Sequence, residues 1–405
     1  MSGGTYERLT RQVKTKWASP QVVVVIRLGR TAGPRYHTSP RRTERMDAYR
    51  SYLQSISQER RDPLARVLCG ALACCTPFYR GAVRLRNRAY DLRRVRICDP
   101  GVPVVSVGNL TTGGTGKTPV VAWIVNRLRE LGATPGILSR GYRSLDGAEN
   151  DEKRLLDRLC PGVPHIQNRD RVAGAVAAVT EHGCSVLVLD DGFQHRRLKR
   201  QLDIVLIDAV NPWGYGRLLP RGLLREPPAS LGRADLVLIT RSDQVSTAEL
   251  AATRTEIRRH TNAHVIRSRF AATGLINAEG VRRPLDVLSQ QRAAAFCGIG
   301  NPEGFRRTLA GAVGRDGAGT EAIPLKIFPD HHHYTEADSR ALAAFAASVH
   351  AECLVTTGKD LVKIPRTELS GVAVWGVEIE LRLEDATRLM DCLESCVSAG
   401  DRKAA

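Results

Sequence analysis

The chain has 405 residues, 42% hydrophobic and 25% charged, which is enough for two or more packed domains and excludes a disordered or fibrous protein. Its net charge of +18 is uneven: residues 1–100 hold 21 bases against 7 acids, and the other 305 residues carry only +4. A basic leader on a nearly balanced body points to an anionic surface such as a membrane rather than to a nucleic acid.

Residues 1–45 carry ten bases and two acids with no sustained period. They read as a disordered leader or a mis-called start, with Met46 the expected beginning of the folded chain. Residues 46–100 form a basic amphipathic segment in which Leu64, Leu68, Leu72 and Cys75 recur at helical spacing among arginines. Such a helix can cap a domain or lie in a membrane interface. No stretch reaches the roughly 20 apolar residues that span a bilayer. The ten cysteines are scattered, without C-x-x-C pairs or metal-type spacing.

From Pro103 short β-branched runs alternate with helical stretches, the mark of an α/β fold with parallel strands. Strands are predicted at 104–107, 136–139, 185–189, 203–207 and 235–240, and again at 293–297, 323–328, 352–356 and 372–379. Helices are predicted at 303–313 and 335–350, with a last one on which Ala386, Leu389, Met390, Leu393 and Val397 share a face. The pattern divides into a phosphate-loop domain over 101–270, a linker over 271–292 and a smaller α/β lobe over 293–405.

The run Val104 to Pro119 is a strand, a glycine-rich turn and the start of an apolar helix. That is the context in which backbone N–H groups wrap phosphate oxygens. Gly113, Gly114, Thr115 and Gly116 form the turn, Lys117 reaches the β- and γ-phosphates, and the Thr118 hydroxyl is placed to hold Mg²⁺. Thr111 stands where the generic motif has its first glycine. A second strand ends in Asp190 and Asp191, either of which can face the metal, and Gln194, His195 and Arg196 follow at the same strand end.

The segments Val107–Pro119, Leu138–Tyr142 and Leu189–Leu198, with Arg217–Pro227, Phe296–Pro302, Phe328–His332 and Thr356–Asp360, together resemble the tetraacyldisaccharide 4'-kinase (lipid A 4'-kinase) family in order and from about Met46 onward. Thr111 in place of the first glycine is usual in that family. The resemblance implies ATP- and Mg²⁺-dependent phosphorylation of the 4'-hydroxyl of a tetraacylated glucosamine disaccharide 1-phosphate. It also implies a peripheral or monotopic enzyme on the anionic cytoplasmic face of an inner membrane, with no nucleic acid and no obligate protein partner.

Residue by residue, the resemblance makes Asp151 the general base, in a Glu149-Asn-Asp-Glu152 segment where Asn150 replaces the family's glycine. His331 supports that base. Arg225 neutralises transition-state charge and Glu226 lies near the magnesium, while Arg140, Tyr142, Arg171, Gln194 and His195 surround the disaccharide or its phosphate. The competing reading is a phosphate-loop ATPase or GTPase acting as a switch or metallochaperone, for which Thr240-Arg-Ser-Asp243 is a poor echo of a guanine-specifying element.

Overall fold

The computed structural model describes residues 63–141, 151–312 and 323–404. The expectations for residues 1–45 and for Tyr142 lie outside the described residues. Helix α1 (Pro63–Asp91) is followed by β1 (Val104–Asn109), α2 (Lys117–Glu130), β2 (Pro135–Ser139), α3 (Asp151–Leu159), β3 (His165–Gln167), α4 (Arg171–Thr180) and β4 (Val186–Asp190). The chain continues through β5 (Leu202–Asp208), β6 (Leu236–Thr240), α5 (Thr247–His260), β7 (His264–Ile276), β8 (Arg282–Arg283), α6 (Val287–Gln290), β9 (Ala293–Cys297) and α7 (Pro302–Ala312). It ends with β10 (Leu325–Ile327), α8 (Glu336–Ser348), β11 (Cys353–Thr357), α9 (Gly358–Leu361), β12 (Glu368–Leu369), β13 (Val372–Leu383) and α10 (Thr387–Ala404).

Among the described residues these strands make one sheet, ordered β10-β9-β11-β13-β7-β6-β5-β1-β4-β2-β3. Strands β1, β4 and β6 are buried along their whole length, which explains their largely apolar sequences. All neighbours on this path run parallel except β13 and β7.

That exception shapes the molecule. Residues 264–267 of β7 pair in parallel with β6, and residues 268–276 pair antiparallel with β13. The second half of the sheet is thus displaced along β7, beyond the C-terminal ends of the first half, and its strands run the opposite way. The C-terminal ends of both parallel halves therefore meet at one cleft, and ligand-binding loops gather at such ends.

The linker expected over 271–292 is corrected here: residues 271–276 complete β7, and β8 pairs with them. Arg267 and Arg269 interrupt the apolar run and hide this strand from periodicity, although Arg267 is paired with Glu384 across the sheet. The last helix departs from the expected lobe as well. Leu389 and Leu393 of α10 join the core formed by Val121, Ile124 and Leu128 of α2, so the chain returns to its first half.

Helix α1 is amphipathic, and Tyr79, Val83 and Asn87 are on its inward face; the expectation for the side chains of Leu64 and Leu68 lies outside the described residues. Phe78 and Leu85 point to solvent at 82% and 73% exposure. No helix among the described residues is long and apolar enough to cross a membrane.

Candidate active site

The phosphate loop leaves β1 at Asn109 and enters α2 at Lys117. Gly113 and Gly116 have left-handed φ of 116° and 82°. A Cβ at Gly116 would lie 2.4 Å from Phe270 Cζ, so this turn admits only glycine. The loop is held from behind: the Thr112 N–H donates to the Leu223 carbonyl at 2.8 Å, and the Thr240 hydroxyl donates to the Thr115 carbonyl at 3.0 Å. Arg241 donates to the Gly114 carbonyl at 2.9 Å and pairs with Asp208 at 2.6 Å. Gly113 and Gly114 remain exposed at the cleft, and Thr118 follows Lys117 into the first turn of α2.

Lys117 Nζ lies 3.3 Å from Asn109 Oδ1 and 3.4 Å from Asp191 Oδ1. Asp191 also accepts from Arg225 at 2.7 Å, and although burial opposes its charge, Lys117 and Arg225 hold its carboxyl below the usual range. Asp190 differs. It is buried, its Oδ1 has no hydrogen-bond partner, and burial together with the charge of Glu152 pushes its carboxyl up to about 7. A buried carboxylate oxygen without a partner fits a divalent cation, and the open glycine turn beside it fits the phosphates the cation would accompany.

Two residues depart from their expected roles. Glu226 is fully buried, and its oxygens accept from Arg86 at 2.7 Å, Asn87 at 2.9 Å and Arg233 at 3.0 Å. With three donors already on it, it fastens α1 to the catalytic body instead of facing a metal. Gln194 donates to the Asn109 carbonyl at 2.9 Å and accepts from Arg225 at 3.4 Å, so it braces the phosphate loop and is not presented to a sugar.

Across the cleft, Asp151 opens α3 and His331 lies in the loop after β10. Asp151 Oδ2 is 3.3 Å from His331 Nδ1 and 3.7 Å from Lys363 Nζ. Burial alone would raise the Asp151 carboxyl, but the His331 hydrogen bond and the Lys363 charge outweigh it and hold the group low. His331 Nε2 is 3.2 Å from Lys359 Nζ, which also pairs with Asp330 at 3.3 Å. His331 has a left-handed φ of 58°, as Asp191 and Arg241 have at 53°. Such strain in non-glycine residues is characteristic of functional sites.

The two clusters adjoin. A Cβ at Gly300 would lie 3.2 Å from Asp330 Oδ2 and 3.8 Å from the Gly114 nitrogen, so this loop spans from the phosphate turn to the histidine segment. Glu152, beside Asp151, is near enough to raise Asp190. His332 turns away, stacking on Phe328 and meeting Asp338 at 3.1 Å.

Of the expected disaccharide contacts, Arg171 and His195 come together. Burial, with Arg171, Arg200 and Arg197 around it, pushes the His195 imidazole down to about 4. A neutral histidine among arginines is a setting for an anion. Arg140 is exposed after β2.

A family profile described as tetraacyldisaccharide-1-P 4'-kinase matches residues 70–398. The chain belongs to that family. It is 40% identical over 333 residues to the tetraacyldisaccharide 4'-kinase of Syntrophus aciditrophicus, covering 76% of this chain and 87% of the relative. It is 39% identical over 326 residues to the enzyme of that name from Anaeromyxobacter dehalogenans, covering 76% and 84%. A crystal structure of LpxK from Aquifex aeolicus in complex with ATP superimposes with a TM-score of 0.64 at 27% identity, over 82% of this chain and 99% of that one.

Within this kinase-family fold, several site residues escape sequence reasoning. Asn109 and Arg241 position the phosphate loop, while Lys359 and Lys363 surround the Asp151 and His331 pair. The family string Thr356–Asp360 already contains Lys359, but nothing in it points to residue 151.

Proposed function

We propose that this chain transfers the terminal phosphoryl group of ATP to the 4'-hydroxyl of a tetraacylated glucosamine disaccharide 1-phosphate, with His331 accepting the hydroxyl proton. The observation that carries the reading is the Asp151 and His331 pair opposite an intact phosphate loop. Bound ATP with Mg²⁺ would supply an activated phosphoryl group with part of its charge neutralised, held by residues 113–118 with Asp190 and Asp191.

The geometry supports a reversal of the roles that the family resemblance implies. The His331 side chain is 51% exposed and can meet a substrate, whereas that of Asp151 is 11% exposed and its carboxylate is held in its weakly basic form. An ionised Asp151 at Nδ1 requires the proton on that nitrogen, and the Lys359 ammonium at Nε2 requires a lone pair there. Both neighbours thus select the tautomer with its lone pair on Nε2, where the incoming sugar hydroxyl takes the place of Lys359. As the sugar oxygen bonds to the terminal phosphorus and the bond to the ADP oxygen breaks, His331 Nε2 takes the proton. Arg225 and Lys117 face the charge that develops. Arg171 and His195 serve the substrate's own phosphate. A cavity of about 950 Å³ lined by Asp243, Gln244, Phe270 and Arg307 adjoins the phosphate turn through Phe270, which packs on Gly116, and offers room for the nucleoside end.

Exposed Phe78 and Leu85, with Arg80, Arg84 and Arg88 alongside, support α1 as an interfacial anchor on the cytoplasmic face of the inner membrane. The deciding experiment is transfer from labelled ATP to the purified disaccharide 1-phosphate in detergent micelles. Label in the lipid is expected; ATP hydrolysis without labelled lipid would favour a switch ATPase.

A further inference from the structure

Lys363, just beyond α9, has a side chain only 3% exposed. A buried ammonium persists only where charge and hydrogen bonds compensate its lost hydration. Its Nζ lies 2.9 Å from Asp360 Oδ1 and donates to the His332 carbonyl at 3.3 Å. Asp360 is fully buried and fixed in turn, accepting from the Gly298 N–H at 2.9 Å and the Thr357 hydroxyl at 2.8 Å. An ammonium has three donors, and the remaining direction leads to Asp151 Oδ2 at 3.7 Å, the same oxygen that faces His331 Nδ1.

We propose that Lys363, anchored by Asp360, is a positioning residue that keeps the Asp151 carboxylate ionised and turned toward His331. This rests on the reading of Asp151 and His331 given above. A cation 3.7 Å from Asp151 Oδ2 favours the charged carboxylate and disfavours adding a further positive charge to the pair. The other charged groups around the pair are Lys359 and Asp330 on the Nε2 side of His331, and Glu152 on α3, which acts on Asp190. Lys363 is the cation on the carboxylate side.

The test is the pH profile of kcat/KM for micellar disaccharide 1-phosphate. In Lys363→Met the acidic limb moves to higher pH by about one unit, roughly a tenfold loss at a fixed pH on the limb, because one opposing charge has been removed. The plateau above it changes by a smaller factor, and Lys363→Arg restores the limb. Asp360→Asn, which keeps the side-chain shape and leaves Lys363 unopposed, moves the limb to lower pH. A Lys363→Met profile that superimposes on the wild type, or a plateau loss with an unmoved limb, overturns the proposal. Should that variant fail to fold, an unmoved limb in Asp360→Asn does so. An acidic limb that survives in both His331→Ala and Asp151→Asn overturns the underlying pair instead. A limb lost in His331→Ala but unmoved in Lys363→Met overturns the role of Lys363 alone.

Discussion

The two banks of the cleft are built differently. The nucleotide bank is a contiguous strand, turn and helix, Val104 to Glu130, in which backbone groups and one lysine do most of the binding. The acceptor bank is assembled from side chains at 151, 331, 359 and 363, its two central members lying 180 positions apart in the chain. A site made of backbone tolerates change in its surroundings as long as the turn closes. One made of coupled side chains depends on each partner's charge.

The largest expected effect tests the nucleotide bank. Lys117→Ala should lower kcat/KM by about 10³-fold, since a positioned cation on developing charge has no substitute, while thermal unfolding stays near wild type. Assays and melts on one preparation check both halves of this statement. On the acceptor bank, His331→Ala should lower kcat by about 10²-fold with little change in the KM for ATP. Asp151→Asn added to it should cost far less than it does alone, because a base and its orienting partner act as a unit. Additive losses would separate the two residues and break the comparison.

A third variant probes the tether that joins α1 to the nucleotide bank. Glu226→Gln leaves Arg86 and Arg233 without a counter-charge and should destabilise the fold by about 3 kcal/mol, read in denaturant melts. Hydrogen exchange in residues 63–91 should quicken first. Although burial opposes its charge, Arg233 and the hydrogen bond from Asn87 hold the Glu226 carboxyl below its ordinary value of 4.5. Its stabilising contribution is therefore complete above that pH and is lost as pH falls through the lower folded value. Acid should release α1 before the sheet unfolds. The smallest effect concerns the outer face of α1: Phe78→Ser with Leu85→Ser should weaken binding to anionic vesicles by about tenfold at unchanged ATP affinity, as each side chain, inserted only part-way, contributes about half of the roughly 1.5 kcal/mol of full burial. Equal binding by the double variant would remove this face from the membrane.

Tyr79 links these regions, since its hydroxyl donates to the Arg225 carbonyl at 2.9 Å while Arg225 holds Asp191. The seating of α1 and the charge at the nucleotide bank are thus connected by two residues. Periodicity identified this helix from its leucine row and left open whether that row packs or faces lipid. The inward positions are Tyr79, Val83 and Asn87, because the surface they meet needs a hydroxyl and an amide as well as apolar contact.

The sequence by itself determined the parallel strands, the phosphate turn and the two acids at the end of β4. Each of these is set by local chemistry: largely apolar runs demand burial on both faces, and glycine at left-handed φ demands the turn. Tertiary structure alone decided that β7 joins the two halves with opposite sense, that Glu226 serves Arg86 and Arg233, and that Lys363 meets Asp151. Strand sense and charge pairing depend on partners far away in the chain, and a charged side chain carries no local mark of which opposite charge it will be buried against.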